Sequence, residues 1–187
     1  MKENFTEKLK TNPVIAAVKD TEKLEDALNS ECEVVFLLCG NIFNLKSIVE
    51  KAKKKGKIIF IHVDLIDGFS RDATALSYIY EEIRPDGIIS TKNSQLKTAK
   101  QLGLLTVQRL FIIDSLSIDT TVKASVSINP DAIEIMPGIM PRITRKLSSQ
   151  LDVPVIAGGL ISEKDDIKNA LESGAKGVST SDTSLWY

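Results

Sequence analysis

Two glycine- and hydroxyl-bearing stretches carry the most specific chemistry in this chain: Ala157-Gly158-Gly159-Leu160-Ile161 and Ser179-Thr180-Ser181. A glycine pair lets backbone amides approach an anion that a Cβ would hold off, and nearby hydroxyls supply further donors to its oxygens. Gly158, Gly159, Thr180 and Ser181 therefore read as a phosphate site. The alternative is a tight turn beside hydroxyls that cap a helix. His62 and Asp64 are two apart, so on an extended segment they share one face. A carboxylate beside an imidazole can move protons or hold a ligand, although a histidine, here the one in the chain, can equally be a structural hydrogen-bonder. Arg109 sits in the apolar run 104–111, where a guanidinium requires a carboxylate or a ligand anion, and Glu134 can supply the former. Lys19 ends an apolar run. It suits an anion contact or a solvent-facing position, whereas Schiff-base chemistry would need an apolar pocket around it. Gly138, after Pro137, marks a further loop able to border the ligand and to move, as does Gly68.

Other constellations are missing. Cys32 and Cys39 are seven apart and offer no zinc spacing, so both are expected as reduced thiols in or near the core. Asp64, Asp67 and Asp72 could meet a Mg²⁺ beside a phosphate, but three acids near a helix start are ordinarily solvated. Paired glycosidase carboxylates and a Ser-His-Asp order have no support. No metal and no cofactor are expected.

The elements that must position these residues alternate. Eight apolar runs of strand length, 14–18, 34–38, 58–63, 87–90, 104–111, 132–136, 153–157 and 177–180, are separated by helix-period segments. Several runs are apolar at successive residues, which is the pattern of parallel strands covered on both faces. Between them Ile42, Leu45, Ile48, Val49 and Ala52 recur at helical spacing, as do Ala73, Leu76, Tyr80 and Ile83. Ser162-Glu163-Lys164-Asp165 reads as a capping box and Pro141 as a first helical residue. Asp20 reads as an N-cap, and Gly56, Gly103 and Gly174 as helix ends. Eight units in 187 residues predict a compact (β/α)8 TIM-type barrel of parallel strands, below the roughly 250 residues typical of that fold. Its last helix must be shortened, because seven residues remain after the eighth strand. In such barrels function lies at the carboxyl ends of the strands, and the loops after the seventh and eighth commonly hold phosphate. A doubly wound open sheet is the other architecture compatible with the alternation.

Length and composition predict one domain, residues 1–187, with 43% apolar and 26% charged residues, which excludes disordered and collagen-like classes. No apolar stretch approaches the roughly 20 residues that span a bilayer, and residues 1–8 lack the apolar core of a secretory signal. A cytoplasmic protein without membrane attachment is expected. A net charge of -1 does not favour nucleic acid, so an RNA role must rest on a local surface. Lys51-Ala52-Lys53-Lys54-Lys55-Gly56-Lys57 is one candidate, although lysines before a glycine also suit a helix C-terminus.

With these segments in hand, the chain resembles the glycerol uptake operon antiterminator family of bacterial regulatory proteins over nearly its whole length. The matching stretches are Pro13-Val14-Ile15-Ala16-Ala17-Val18-Lys19, His62-Val63-Asp64-Leu65 to Gly68, and Arg84-Pro85-Asp86-Gly87-Ile88-Ile89-Ser90-Thr91. Gln108-Arg109-Leu110-Phe111, Ile133-Glu134-Ile135-Met136-Pro137-Gly138, Ala157-Gly158-Gly159-Leu160-Ile161 and Leu185-Trp186 follow. The resemblance implies a cytoplasmic barrel that senses glycerol 3-phosphate and acts on leader mRNA, letting transcription of glycerol-utilisation genes pass a terminator without turnover of the ligand. It implies phosphate at Gly158, Gly159, Thr180 and Ser181, with Lys19, Asp64, Arg109 and Glu134 around the glycerol moiety. Residue chemistry adds His62 and Gly138 to that pocket. A homo-oligomer is compatible with all of this. One departure is Asp182, where the family often has Asn: a carboxylate there repels a phosphate unless it points away or caps a helix. The competing reading is a phosphate-binding barrel enzyme, an isomerase or aldolase using Asp64 or Lys19 on a small phosphorylated polyol or sugar.

Overall fold

Eight short parallel strands close on themselves in sequence order, β1 to β8, the last pairing with the first. A computed structural model describes residues 2–187, apart from the side chains of 121 and 124–126; Met1, part of the charge-alternating start, lies outside the described residues. The strands are β1 Val14–Val18, β2 Val34–Leu37, β3 Ile58–His62, β4 Gly87–Ser90, β5 Leu105–Phe111, β6 Ala132–Met136, β7 Val155–Gly158 and β8 Gly177–Thr180. All eight expected strands are present, with ends shifted by a residue or two. The seventh begins after Pro154, whose missing N–H cannot enter a ladder. Closure comes from the register Val14↔Val178, Ile15↔Ser179 and Ala16↔Thr180, which excludes the open sheet.

The helices are α1 Lys2–Thr11, α2 Leu24–Asn29, α3 Leu45–Lys54, α4 Ala73–Tyr78, α5 Asn93–Leu102, α6 Ser115–Ile128, α7 Pro141–Gln150 and α8 Lys164–Glu172. After β8 the expected short helix is a single 3₁₀ turn, Thr183–Leu185. Asp20 caps a 3₁₀ turn ahead of α2 by accepting from the Glu22 amide, and Pro141 opens α7. Three expectations shift. The capping box of α8 stands one residue on, because Asp166 rather than Asp165 accepts from the amides of Ser162 and Glu163, both at 3.0 Å. α4 runs into a π-helical turn, Ile79–Ile83, and the face the two bury is Ala75, Leu76, Ile79 and Ile83, while Ala73 and Tyr80 face solvent. Ile42 precedes α3 and is also exposed.

Because strand side chains alternate, each strand feeds two cores. Ile15, Ala17, Val34, Phe36, Ile58, Phe60, Ile89, Val107 and Ile156 cluster together inside the barrel, while Ala16, Val18, Val35, Leu37, Ile59, Ile61 and Ile88 pack against the surrounding helices. Gly87 makes room for the interior: a Cβ there would lie 2.4 Å from the Phe60 ring. α1 is an element that the strand count does not anticipate. Phe5 and Leu9, one helical turn apart, join the interior cluster, and the Phe5 ring centroid lies 4.9 Å from that of Phe60. Since both come from the segment before β1, the helix plugs the amino end of the barrel and leaves the carboxyl end for a ligand.

Candidate functional site

At the carboxyl end, β1, β5, β6, β7 and β8 surround a pocket of about 220 Å³. Lys19, Arg109, Glu134, Gly159, Thr180 and Ser181 all line it, so six of the ten residues singled out in the sequence meet in one place. Arg109 and Glu134 are paired in register across β5 and β6, and both are buried. The Arg109 Nε donates to Glu134 Oε2 at 2.6 Å, and the other carboxylate oxygen accepts from the Ser179 hydroxyl at 2.5 Å. The structural pairing of Arg109 with Glu134 is thus present, and the pair also forms part of the pocket wall. Glu134 balances its charge. Lys19 stands exposed at the rim and is the one lining cation without a partner among the described residues. Its exposure removes the apolar surroundings that Schiff-base chemistry needs.

The two loops differ in what they offer an anion. Gly159 has φ +77°, the left-handed region, and a Cβ on it would lie 2.6 Å from Met136 Cε. Gly158 does not line the pocket. It sits behind the wall, where a Cβ would come within 2.5 Å of both Glu134 Oε1 and Ser179 Oγ. Gly138 is also behind the wall: its amide donates to the Gly159 carbonyl at 3.0 Å, and a Cβ would meet the Gly158 amide nitrogen at 2.8 Å. The Thr180 hydroxyl is buried and engaged, donating to the Ile161 carbonyl at 2.9 Å and accepting from the Asp182 amide at 3.1 Å. Ser181 is half-buried, and its hydroxyl has no protein partner among the described residues.

Asp182 lies next to this site without lining it. Its carboxylate accepts from the Ser184 amide at 2.9 Å and from the Ser184 hydroxyl at 2.7 Å, and these bonds hold it below the usual carboxylate range. It is the N-cap of the last 3₁₀ turn, so the carboxylate is directed at that turn.

His62 and Asp64 are not part of the pocket. Asp64 accepts from the Ser90 hydroxyl, the Thr91 amide and the Thr91 hydroxyl at 3.0, 2.8 and 3.2 Å, tying the exit of β3 to that of β4. His62 Nδ1 stands 3.9 Å from Asp64 Oδ2, beyond hydrogen-bond reach, and has no partner. Burial and then the Arg109 charge push the imidazole down to about 4, against a smaller opposing pull from Asp64. An imidazole kept neutral, with its Nδ1 unpaired, beside a carboxylate engaged by Ser90 and Thr91 is not the hydrogen-bonded pair that their spacing suggested. Asp72 caps α4 through the Ala75 amide, and no cluster of metal-ligating side chains occurs among the described residues. Cys32 is buried and Cys39 half-buried, both free thiols whose pKa is raised by burial.

Residue chemistry did not single out Ala17, Leu38, Met136, Leu160 and Ile161, which also line the pocket. The strand period was the available signal: Ala17 lies two before Lys19, and Met136 two after Glu134.

Known proteins with this architecture narrow its meaning. A family model described as glycerol-3-phosphate responsive antiterminator matches residues 14–186. The chain is 43% identical over 178 residues to "Uncharacterized protein YgcP" of Escherichia coli, covering 95% of this chain and 93% of that one. It superposes on the glycerol uptake operon antiterminator regulatory protein from Listeria monocytogenes with TM-score 0.89 at 36% identity, covering 94% of this chain and 95% of the other. With a glycerol uptake operon antiterminator-related protein from Thermotoga maritima the TM-score is 0.82 at 29% identity, over 92% and 96% of the two chains. Aldolase barrels also superpose, at 17% identity or less, which shows the fold alone. A family match that begins at the first strand and ends at Trp186 takes in the whole barrel and every residue of the pocket, and on that ground the chain belongs to the glycerol-3-phosphate responsive antiterminator family.

Proposed function

We propose that residues 1–187 act as one cytoplasmic ligand-sensing domain, which binds glycerol 3-phosphate at the carboxyl end of the barrel and acts on leader RNA so that transcription passes a terminator. The observation that carries the ligand reading is the charge and donor layout of the pocket. Lys19 supplies a positive charge that pairs with no carboxylate among the described residues, next to Gly159 and the Ser181 hydroxyl, while the Arg109–Glu134–Ser179 chain forms a polar wall able to meet hydroxyls. An anion at one end and a polyol at the other fit that asymmetry. A volume of about 220 Å³ is below the roughly 300–1,000 Å³ of drug-sized sites, which suits a molecule of a few carbons. Among the described residues no helix is long and apolar enough to cross a membrane. The relatives named as antiterminators support the RNA step. Ligand can act there through different affinity for two states of the protein, a coupling of about 1–3 kcal/mol in typical cases.

The test is a calorimetric titration of the protein with glycerol 3-phosphate, with glycerol and inorganic phosphate as controls. Saturable heat with the phosphorylated polyol, and none or far weaker heat with either half, is the expected result. Heat released at constant rate would mean turnover and would overturn the sensor. Unchanged leader-RNA binding and terminator readthrough on adding ligand would overturn the regulatory step.

A further inference from the structure

We infer that the exposed face of α7 formed by Arg142, Arg145 and Lys146 is the surface that meets the RNA backbone, an assignment that rests on the RNA reading above. The three cations are three and four residues apart and so share one side of the helix, while Thr144 and Leu147 are turned into the core. All three are exposed, α7 carries no acidic residue, and among the described residues none of the three makes an ion pair.

The lysine run at the end of α3 is denser in sequence but, apart from Lys54, locally engaged. Lys51 pairs with Glu25, Lys53 with Asp86 and Lys55 with Asn29, and Lys57 donates to the carbonyls of Ser30 and Cys32. It also lies at a helix C-terminus, where cations are favoured without any partner. Arg142 is placed the opposite way. As the second residue of α7 it stands at the positive end of the helix dipole, a position that α8 fills with Asp165 and Asp166 and α2 with Glu25 and Asp26; α3 also has a cation there, Lys46, but Glu82 pairs with it, whereas Arg142 has no such carboxylate among the described residues. Local stability therefore does not explain this basic helix start. A polyanion does, because its phosphates are attracted both by the three side chains and by the dipole that the arginine itself opposes.

Location ties the face to the ligand. Met136 lines the pocket, and the loop that follows it leads into α7 four residues later; within that loop the Gly138 amide is bonded to the carbonyl of Gly159. That bond gives Gly159 at the pocket a direct contact with the segment that enters α7.

The experiment measures anisotropy of a labelled leader transcript, taken from the organism's own glycerol-utilisation genes, against the full chain at several salt concentrations, with and without glycerol 3-phosphate. Arg142→Gln/Arg145→Gln/Lys146→Gln is compared with Lys51→Gln/Lys53→Gln/Lys54→Gln. The α7 variant is expected to bind at least about tenfold more weakly and to lose about two to three from the slope of log affinity against log salt, with the α3 variant near wild type. An unchanged melting temperature and unchanged ligand heat for the α7 variant establish that it is folded. Equal affinity and slope for wild type and the α7 variant overturn the assignment while leaving the RNA reading intact. Absence of RNA binding by wild type, with and without ligand, removes the RNA reading and this face with it. Loss of an oligomer in sedimentation with RNA binding retained would make the face a protein interface and overturn the proposal.

Discussion

At Gly159 the demands of ligand and fold can be separated. Its φ of +77° is costly for a branched residue, about 1–3 kcal/mol, and the new side chain would meet Met136 at the pocket wall. Gly159→Val is expected to abolish glycerol 3-phosphate heat in calorimetry while lowering the urea midpoint only modestly. Glu134 is the reverse case. Removing it leaves Arg109 buried without a counter-charge, so Glu134→Ala is expected to cost about 3–5 kcal/mol in urea unfolding. His62 makes a pH prediction. Its folded pKa of about 4 lies below the ordinary 6.5, so the unfolded chain takes up the proton first and stability falls as pH drops from about 6.5 to about 4, by up to about 3 kcal/mol. Urea midpoints at pH 7.5 and 4.5 should therefore differ more for wild type than for His62→Gln. Glycines and hydroxyls marked the loops after β7 and β8 as a candidate anion site because that pattern suits close approach to an anion, yet the same residues also make tight turns, and Gly158 sits behind the pocket wall. The engagement of the Thr180 hydroxyl was hidden, because its acceptor carbonyl belongs to Ile161, 19 residues away.

Strands were legible as elements because a doubly covered parallel strand must be apolar at successive positions, and runs such as 34–37 have no other easy reading. α1 was not, since its two core residues, Phe5 and Leu9, are set among charges and one i, i+4 pair is too little periodicity to register. Its burial nevertheless makes it essential to the interior: Phe5→Ala is expected to lower stability by about 3–5 kcal/mol in urea unfolding. α4 was misread for a different reason. Leu76 is followed by apolar residues at both i+3, Ile79, and i+4, Tyr80, each compatible with a 3.6-residue repeat, so spacing alone does not decide between them; the structure buries Ile79.

Across the whole molecule, the pocket exists because the first strand and the last are neighbours. Ala17 and Lys19 come from one end of the chain and Ser179 to Ser181 from the other, joined by the β1–β8 ladder. The segment after β8 locks this seam: the buried Trp186 ring donates its Nε1 hydrogen to the Thr180 carbonyl at 2.9 Å. Trp186→Ala is expected to cost about 3–5 kcal/mol and to weaken ligand binding together with stability, read by urea unfolding and calorimetry. Closure in sequence order was legible from the count of eight, whereas the lock was not, because a tryptophan near a terminus does not reveal what it covers. The seam also bears on protein synthesis. A ribosome that stops before Gly177 releases a polypeptide with no β8, hence no ladder to β1 and no wall to the pocket, so barrel closure and the pocket arise together only once synthesis has passed that residue.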